Sequence, residues 1–359
     1  MAVIDKKYHD LLLDILHNGY KYEDPNRKGI NRIQIPHATI VHNFKDGFPA
    51  ITTKKLHWKG VVGELLWILR GSDNIKYLVD NGINIWNKDA YNYYLSKGYL
   101  DCDNLEEYID NVKNAESWVG DIGRGYGAQL RKWLGSSFYF SMGDLPHRMN
   151  YIDQFAELIN TLKTNPMATK KTVTFWNPSE KDQCALTPCH WSFEILVEPL
   201  TWGERNKYVQ PYHGSNIDSY KNGGHDFFDK IKAPKYQFTL KWHQHSVDTF
   251  LGLPFNIASY ALLAHIIGKM TNMIPKGIIG DLSNVHIYEP HLPQVKEQLR
   301  NDSDRYNECK LEISKLASKR LTNTRSLDEM LNSLEINDFT LKNYESYPSI
   351  KAEMLPYNN

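Results

Sequence analysis

The chain has 359 residues, 41% of them hydrophobic and 12% aromatic, enough for one large core or two small ones. Lysine plus arginine equals aspartate plus glutamate, 42 against 42, which argues against a polyanion or a membrane surface as partner. Four cysteines (Cys102, Cys184, Cys189, Cys309) lack paired metal-ligand spacing, and no apolar run of signal-peptide or transmembrane kind is found, so a metal-free, reduced cytoplasmic protein is expected.

Residues 8–17 have the apolar spacing of an amphipathic helix and residues 60–69 that of a buried one. Glu64 stands in the second among Val61, Val62, Leu65, Leu66, Trp67 and Ile68. A carboxylate so surrounded is either paired or tuned. Residues 88–118 and 134–150 read as polar, irregular surface insertions, and helical periodicity returns at 152–162. Strands are expected at 172–176 and 191–197. Between them Cys189 follows a proline turn at a strand start, a nucleophile's position, although a lone cysteine there is more often a small buried hydrophobe. Residues 201–234, rich in glycine, read as an elaborated loop between two strands rather than a separate domain.

Phe238, Leu240 and Trp242 alternate with Thr239, Lys241 and His243, the period of a half-buried strand, and continuing it places Gln244, Ser246 and Asp248 on the apolar face. The strand ends at Leu251-Gly252-Leu253-Pro254, and an almost uncharged helix follows over about 255–270 with Asn256 in its first turn. A carboxylate, a hydroxyl and an amide at a strand-to-helix junction suit a planar heterocycle such as a pyrimidine edge; a purely structural hydrogen-bond network fits the residue types equally well. Asn284, His286 and Tyr288 alternate with Val285 and Ile287, a face able to hold a sugar or phosphate. Residues 302–335 mix charges at helical spacing and are expected outside the core.

Six motifs occur together: DGFPAITTKK (46–55), GELLWILRG (63–71), WNPSE (176–180), LTPCH (186–190), SVDTFLGLPFNIASYALL (246–263) and HIYEPH (286–291). In order and spacing they resemble the thymidylate synthase family, from the N-terminus to about residue 351. The resemblance implies a single α+β domain over 1–359, with a large twisted mixed sheet, packed helices, Cys189 near the sheet's middle, and a homodimer through the sheet face. It also implies one-carbon transfer from 5,10-methylenetetrahydrofolate to C5 of dUMP, with Cys189 adding to C6 as a thiolate and Glu64, Asn256, Tyr126 and His190 serving a proton-transfer network. Asp248 resembles the carboxylate that holds the pterin. Asn256 resembles the reader of O4 and N3 of the base, and His286 and Tyr288 resemble the pair on the deoxyribose hydroxyl. Lys54, Ile85, Trp86, Leu251, Gly252 and Phe255 match folate-contacting positions, and Gln244 and Ser246 belong to the nucleotide side.

Departures bear on the product. Of the family's four phosphate-gripping arginines only Arg27 is matched; His245, Lys170 and Lys171 stand where the others are expected, and lysine cannot make arginine's bidentate phosphate contact. Asp89 stands near a position where many relatives carry a tryptophan, Asn284 replaces an aspartate, and Pro348-Ser349-Ile350-Lys351 is followed by AEMLPYNN instead of a small apolar tail. A lid that leaks water would favour 5-hydroxymethyl-dUMP over dTMP. An inactive nucleotide-binding homologue is the third alternative.

Overall fold

The computed structural model describes residues 2–25, 27–99, 102–114, 118–137, 148–213, 224–323 and 326–355. Thirteen helices and eleven strands alternate along them. They are α1 (Val3–Asn18), β1 (Tyr20–Glu23), β2 (Asn31–Asn43), α2 (Trp58–Leu69), α3 (Lys76–Asp80), α4 (Asn87–Ser96), α5 (Leu105–Asn114), α6 (Tyr126–Arg131), β3 (Trp133–Ser137), β4 (Arg148–Ile152), α7 (Gln154–Thr164) and β5 (Thr172–Thr174). Then follow β6 (His190–Pro199), α8 (Trp202–His213), α9 (Asp226–Lys230), β7 (Tyr236–Gln244), β8 (Val247–Asp248), α10 (Gly252–Thr271), β9 (Ile274–Tyr288), α11 (Leu292–Arg300), β10 (Lys310–Ile313), α12 (Lys315–Leu321), α13 (Leu327–Asn332) and β11 (Phe339–Lys342).

A mixed seven-stranded sheet runs β1-β2-β9-β7-β6-β5, with β8 also on β9. The β7–β9 and β8–β9 pairs are parallel and the rest antiparallel. A parallel neighbour needs a crossover, and α10 supplies it. This helix carries its one charge, Lys269, in its last turn, buries thirteen residues, and stops at Asn272 in the left-handed conformation, φ 53°. Trp242 of β7 locks helix to sheet. Its indole stacks on Tyr260 of α10 (5.1 Å, 11°) and lies against Gly280 of β9, where a Cβ would come within 2.4 Å of the ring.

Several expectations are corrected. Most described residues of 88–118 are helical, not irregular: α4 and α5 bury Ala90, Tyr94, Tyr108 and Val112, so the segment packs one face on the core instead of lying wholly on the surface. In 134–150 the described ends pair as the β3–β4 hairpin. Residues 201–234 contain α8 and α9 around a small separate cluster of Val209, Phe228 and Ala233, tied down by Arg205 to the carbonyls of Ala233 and Pro234. Far from lying outside the core, 302–335 contributes Cys309, Ala317, Leu321, Met330, Leu331 and Leu334 to it. Cys189 is not central, because β6 lies next to the edge strand β5. The parts of these segments at 100–101, 115–117, 138–147, 214–223 and 324–325, and residues 356–359, lie outside the described residues.

Candidate active site

Strand alternation does not run through to Asp248 as expected. Gln244 is buried, but β7 ends there, and the chain bends at His245-Ser246 before β8 restarts with Val247 buried and Asp248 turned the other way. Asp248 gains a different role: its Oδ1 accepts from the N–H groups of Phe250 (3.0 Å) and Leu251 (3.1 Å), donors at the start of α10. That leaves Oδ2 as an acceptor for N–H groups of a heterocycle. Lys54, 7% exposed, donates to the Phe250 carbonyl and sits 3.5 Å over the Phe250 ring. Burial pulls its ammonium down to about 7, opposed by Asp248.

One α10 turn carries Asn256 beside Gln244. The Gln244 Oε1 accepts from Trp242 Nε1 (3.4 Å), a donor-only group, so Gln244 Nε2 must face away and donate to Ser246 O (3.0 Å) and Asn256 Oδ1 (3.2 Å). One turn on, Tyr260 meets His190 Nδ1 at 2.9 Å, and His190 stacks on Tyr126 at 4.2 Å. Tyr126 hydroxyl accepts from the Cys189 backbone N–H at 2.8 Å. Burial, with His245 nearby, drops His190 to about 3, so its imidazole is neutral. Across this cluster Trp86 packs edge-on to Tyr126 and donates from Nε1 to Glu64 Oε1 (2.7 Å), while desolvation lifts the Glu64 carboxyl to about 7.

The thiol of Cys189 is pushed up to about 11 by burial; Arg27 pulls it down, and Asp89 and Asp248 add to the rise. Arg27 packs over the Tyr288 ring (4.9 Å), lies 3.8 Å from Asp24, and donates from Nε to the Leu355 carbonyl (3.2 Å). Tyr288 and His286 are adjacent rings at 4.7 Å. Because the Asn284 carbonyl can only accept, His286 Nδ1 carries the proton in their 2.7 Å bond, and its buried Nε2, without a partner among the described residues, is a lone pair offered to a hydroxyl. Asn284 itself is exposed, with φ 51°; it donates to the His245 carbonyl (2.7 Å) and accepts at Oδ1 from Gln34 Nε2 (3.1 Å), the side chain paired across the strands with His286. His245 stands edge-on to Trp176 at 5.2 Å, its backbone N–H donates to the Cys189 carbonyl at 3.0 Å, and burial lowers its pKa, which disfavours the cation expected of a phosphate clamp.

Cys189, Tyr126, His190, Glu64, Trp86, Gln244 and Asn256 thus form one contact network through Tyr260 and Trp242, and Asp248, Lys54 and Leu251 a second through Phe250; Gly252 adjoins Asn256, and Phe255 faces His57. Ile85 packs on the core. Lys171 does not join them: its side chain is buried and donates to the Pro166 carbonyl (2.6 Å) at its own turn, while Lys170 is exposed. Sequence reading missed Tyr260, although its i+4 spacing from Asn256 on one helix was the available signal. It also missed Trp242 as the group orienting Gln244.

The sequence model described as thymidylate synthase matches residues 6–356. The chain belongs to the thymidylate synthase family. Curated relatives named thymidylate synthase include that of Enterobacteria phage T4, 35% identical over 350 residues, covering 97% of this chain and 99% of the phage protein. Those of Mesoplasma florum and Malacoplasma penetrans are 30% and 31% identical, each match covering 97% of this chain and 99% of the relative. Family membership over nearly the full length agrees with the α+β architecture and its large mixed sheet.

Proposed function

We propose that this protein is a working thymidylate synthase that transfers the one-carbon unit of 5,10-methylenetetrahydrofolate to C5 of dUMP, giving dTMP and dihydrofolate. The observation that carries the reading is the Trp242–Gln244–Asn256 relay. It fixes the Asn256 amide with Oδ1 shared toward Gln244 and Nδ2 free to donate, so the pair can accept from N3–H and donate to O4 of uracil. Cytosine presents the reverse pattern, and a flipped amide would set NH2 against NH2.

Methylenetetrahydrofolate, when bound, supplies the one-carbon unit and the hydride that reduces it; Lys54, Asp248, Trp86, Leu251 and Phe255 would hold it. Cys189 sulfur adds to C6, the C5–C6 electron pair moves to make an enolate, and Arg27 is the cation that favours the thiolate. Glu64, with a carboxyl near 7, can take up and return a proton around neutral pH and serves the later loss of the C5 proton. Neutral His190, held by Tyr260, and Tyr126 keep the Cys189 turn in place, and His286 with Tyr288 would meet the 3′-hydroxyl. Residues 353–355 support a sealed site and the methyl product: Leu355 is bonded by Arg27, and the Glu353 carbonyl meets His291 Nε2 at 2.9 Å.

The outer sheet face supports a homodimer. Val41, Ile279, Lys241 and Glu194 lie in one cross-strand row there, and Val41 and Leu196 are exposed on it. Four thiols without a disulfide fit a reducing cytoplasm, and no described helix is long and apolar enough to cross a membrane.

The test is incubation with dUMP and methylenetetrahydrofolate, with mass identification of the nucleotide and of the folate product. Formation of dTMP with dihydrofolate is expected; 5-hydroxymethyl-dUMP with tetrahydrofolate would overturn the product assignment. Cys189→Ala should abolish turnover, whereas Cys102→Ala, Cys184→Ala and Cys309→Ala should not.

A further inference from the structure

The N-terminal helix reaches both halves of the folate side of the site. Asp5, fully buried, spends both carboxylate oxygens on the segment just before Lys54: Oδ1 accepts from the N–H groups of Thr52 (2.8 Å) and Thr53 (3.4 Å), and Oδ2 from the Thr52 hydroxyl (2.7 Å). One turn on, Tyr8 donates its hydroxyl to the Thr249 carbonyl (2.8 Å), the residue between Asp248 and Phe250. The two tethered segments then meet each other, because Lys54 donates to the Phe250 carbonyl and Phe250 N–H donates to Asp248. A closed circuit results: Asp5, Thr52-Thr53, Lys54, Phe250, Thr249, Tyr8 and back along α1. Thr53 is gripped from its other side too, by Gln298 (2.9 Å) and Asn301 (2.8 Å).

Such bracing matters most where a buried ammonium must be held within a fraction of an ångström of its partner. Lys54 is that group, and its reach to Phe250 and its approach to Asp248 depend on where Thr52-Thr53 is pinned. A carboxylate with three donors holds that loop more firmly than neutral partners would. We propose that Asp5 and Tyr8 are positioning residues for the reduced folate, acting through Lys54 and Asp248, an inference that rests on the folate-dependent reading above.

The experiment measures tetrahydrofolate binding to the full chain in the presence of dUMP, alongside dUMP affinity and Tm, for wild type, Asp5→Asn, Tyr8→Phe, Lys54→Met and the Asp5→Asn/Lys54→Met double variant. Asp5→Asn should weaken tetrahydrofolate about tenfold and Tyr8→Phe about threefold, with dUMP affinity unchanged. In the Lys54→Met background Asp5→Asn should cost little further folate affinity while still lowering Tm. Equal losses with and without Lys54, equal losses for folate and dUMP, or no loss would overturn the proposal. Should Asp5→Asn fail to fold, Tyr8→Phe, which removes one hydroxyl, carries the same comparison. A wild type that binds tetrahydrofolate but makes no dTMP sinks the activity and leaves the brace standing; one that binds no tetrahydrofolate sinks the brace.

Discussion

Gln244 Nε2 donates to Asn256 Oδ1 across 3.2 Å, and this one hydrogen bond decides which pyrimidine the Asn256 amide can face. Asn256→Asp replaces the fixed amide with a carboxyl that, when protonated, donates to N3 of cytosine and accepts from its amino group, while Gln244 still satisfies the other oxygen. The ratio of kcat/KM for dUMP over dCMP should therefore fall by about a hundredfold or more. Steady-state rates with both nucleotides check this, and an unchanged ratio would remove Asn256 as the base reader.

Glu64 gives a stability signature as well as a kinetic one. Its carboxyl, ordinarily near 4.5, is raised to about 7 by burial, so the folded state holds a proton that the unfolded chain releases earlier. Stability from this group is complete below about pH 4.5 and is lost as pH climbs through 7. Glu64→Gln, which stays neutral, should be relatively more stable than wild type at pH 8 than at pH 4.5, by ~2–3 kcal/mol. Urea midpoints at the two values measure the difference, and kcat should drop in the same variant by about a hundredfold or more.

The tail near Arg27 makes a separate prediction about the product. Leu355 O accepts from Arg27 Nε and Glu353 O meets His291, so cutting the chain after Lys351 removes both contacts from the nucleotide side of the site. With water admitted, the truncated enzyme should lose most dTMP formation and divert part of its turnover to 5-hydroxymethyl-dUMP. Product mass spectra of full-length and truncated protein give the answer; an unaltered product ratio with full activity would show that the tail does not seal.

How much of this was legible in the sequence follows from the kind of signal each part leaves. Residues on or next to regular elements with strong apolar patterns stand out, such as Glu64 and Asn256 on their helices and Cys189 just before β6. Those whose role depends on register or a bend do not: the burial alternation of β7 stops short of Asp248 because the chain turns at His245-Ser246, and Lys171 points back to its own loop. The α5 helix was readable in principle, since Leu105, Tyr108, Ile109 and Val112 repeat at helical spacing, but its tyrosine and charges resembled a surface. Tethers such as Asp5 to Thr52 join residues 47 apart and leave no local pattern.

His245 is the departure with most bearing on phosphate binding. It is half-buried beside Trp176, and burial lowers its pKa below the usual 6.5, so at neutral pH the ring is uncharged and Arg27 stands without its help. The sign is fixed by that direction: the cation exists only at acidic pH, so the histidine's contribution to dUMP binding is present below its lowered pKa and lost as pH rises through it, unless the phosphate dianion lifts the value on binding. Wild-type dUMP affinity should thus improve only toward pH 6 and below, whereas His245→Arg, charged throughout, should bind about tenfold more tightly across pH 6 to 9. Nucleotide Kd for both proteins over that range is the measurement. An arginine variant that binds dUMP more weakly than wild type would mean that the site is shaped around the smaller neutral ring and that His245 does not serve as a phosphate clamp.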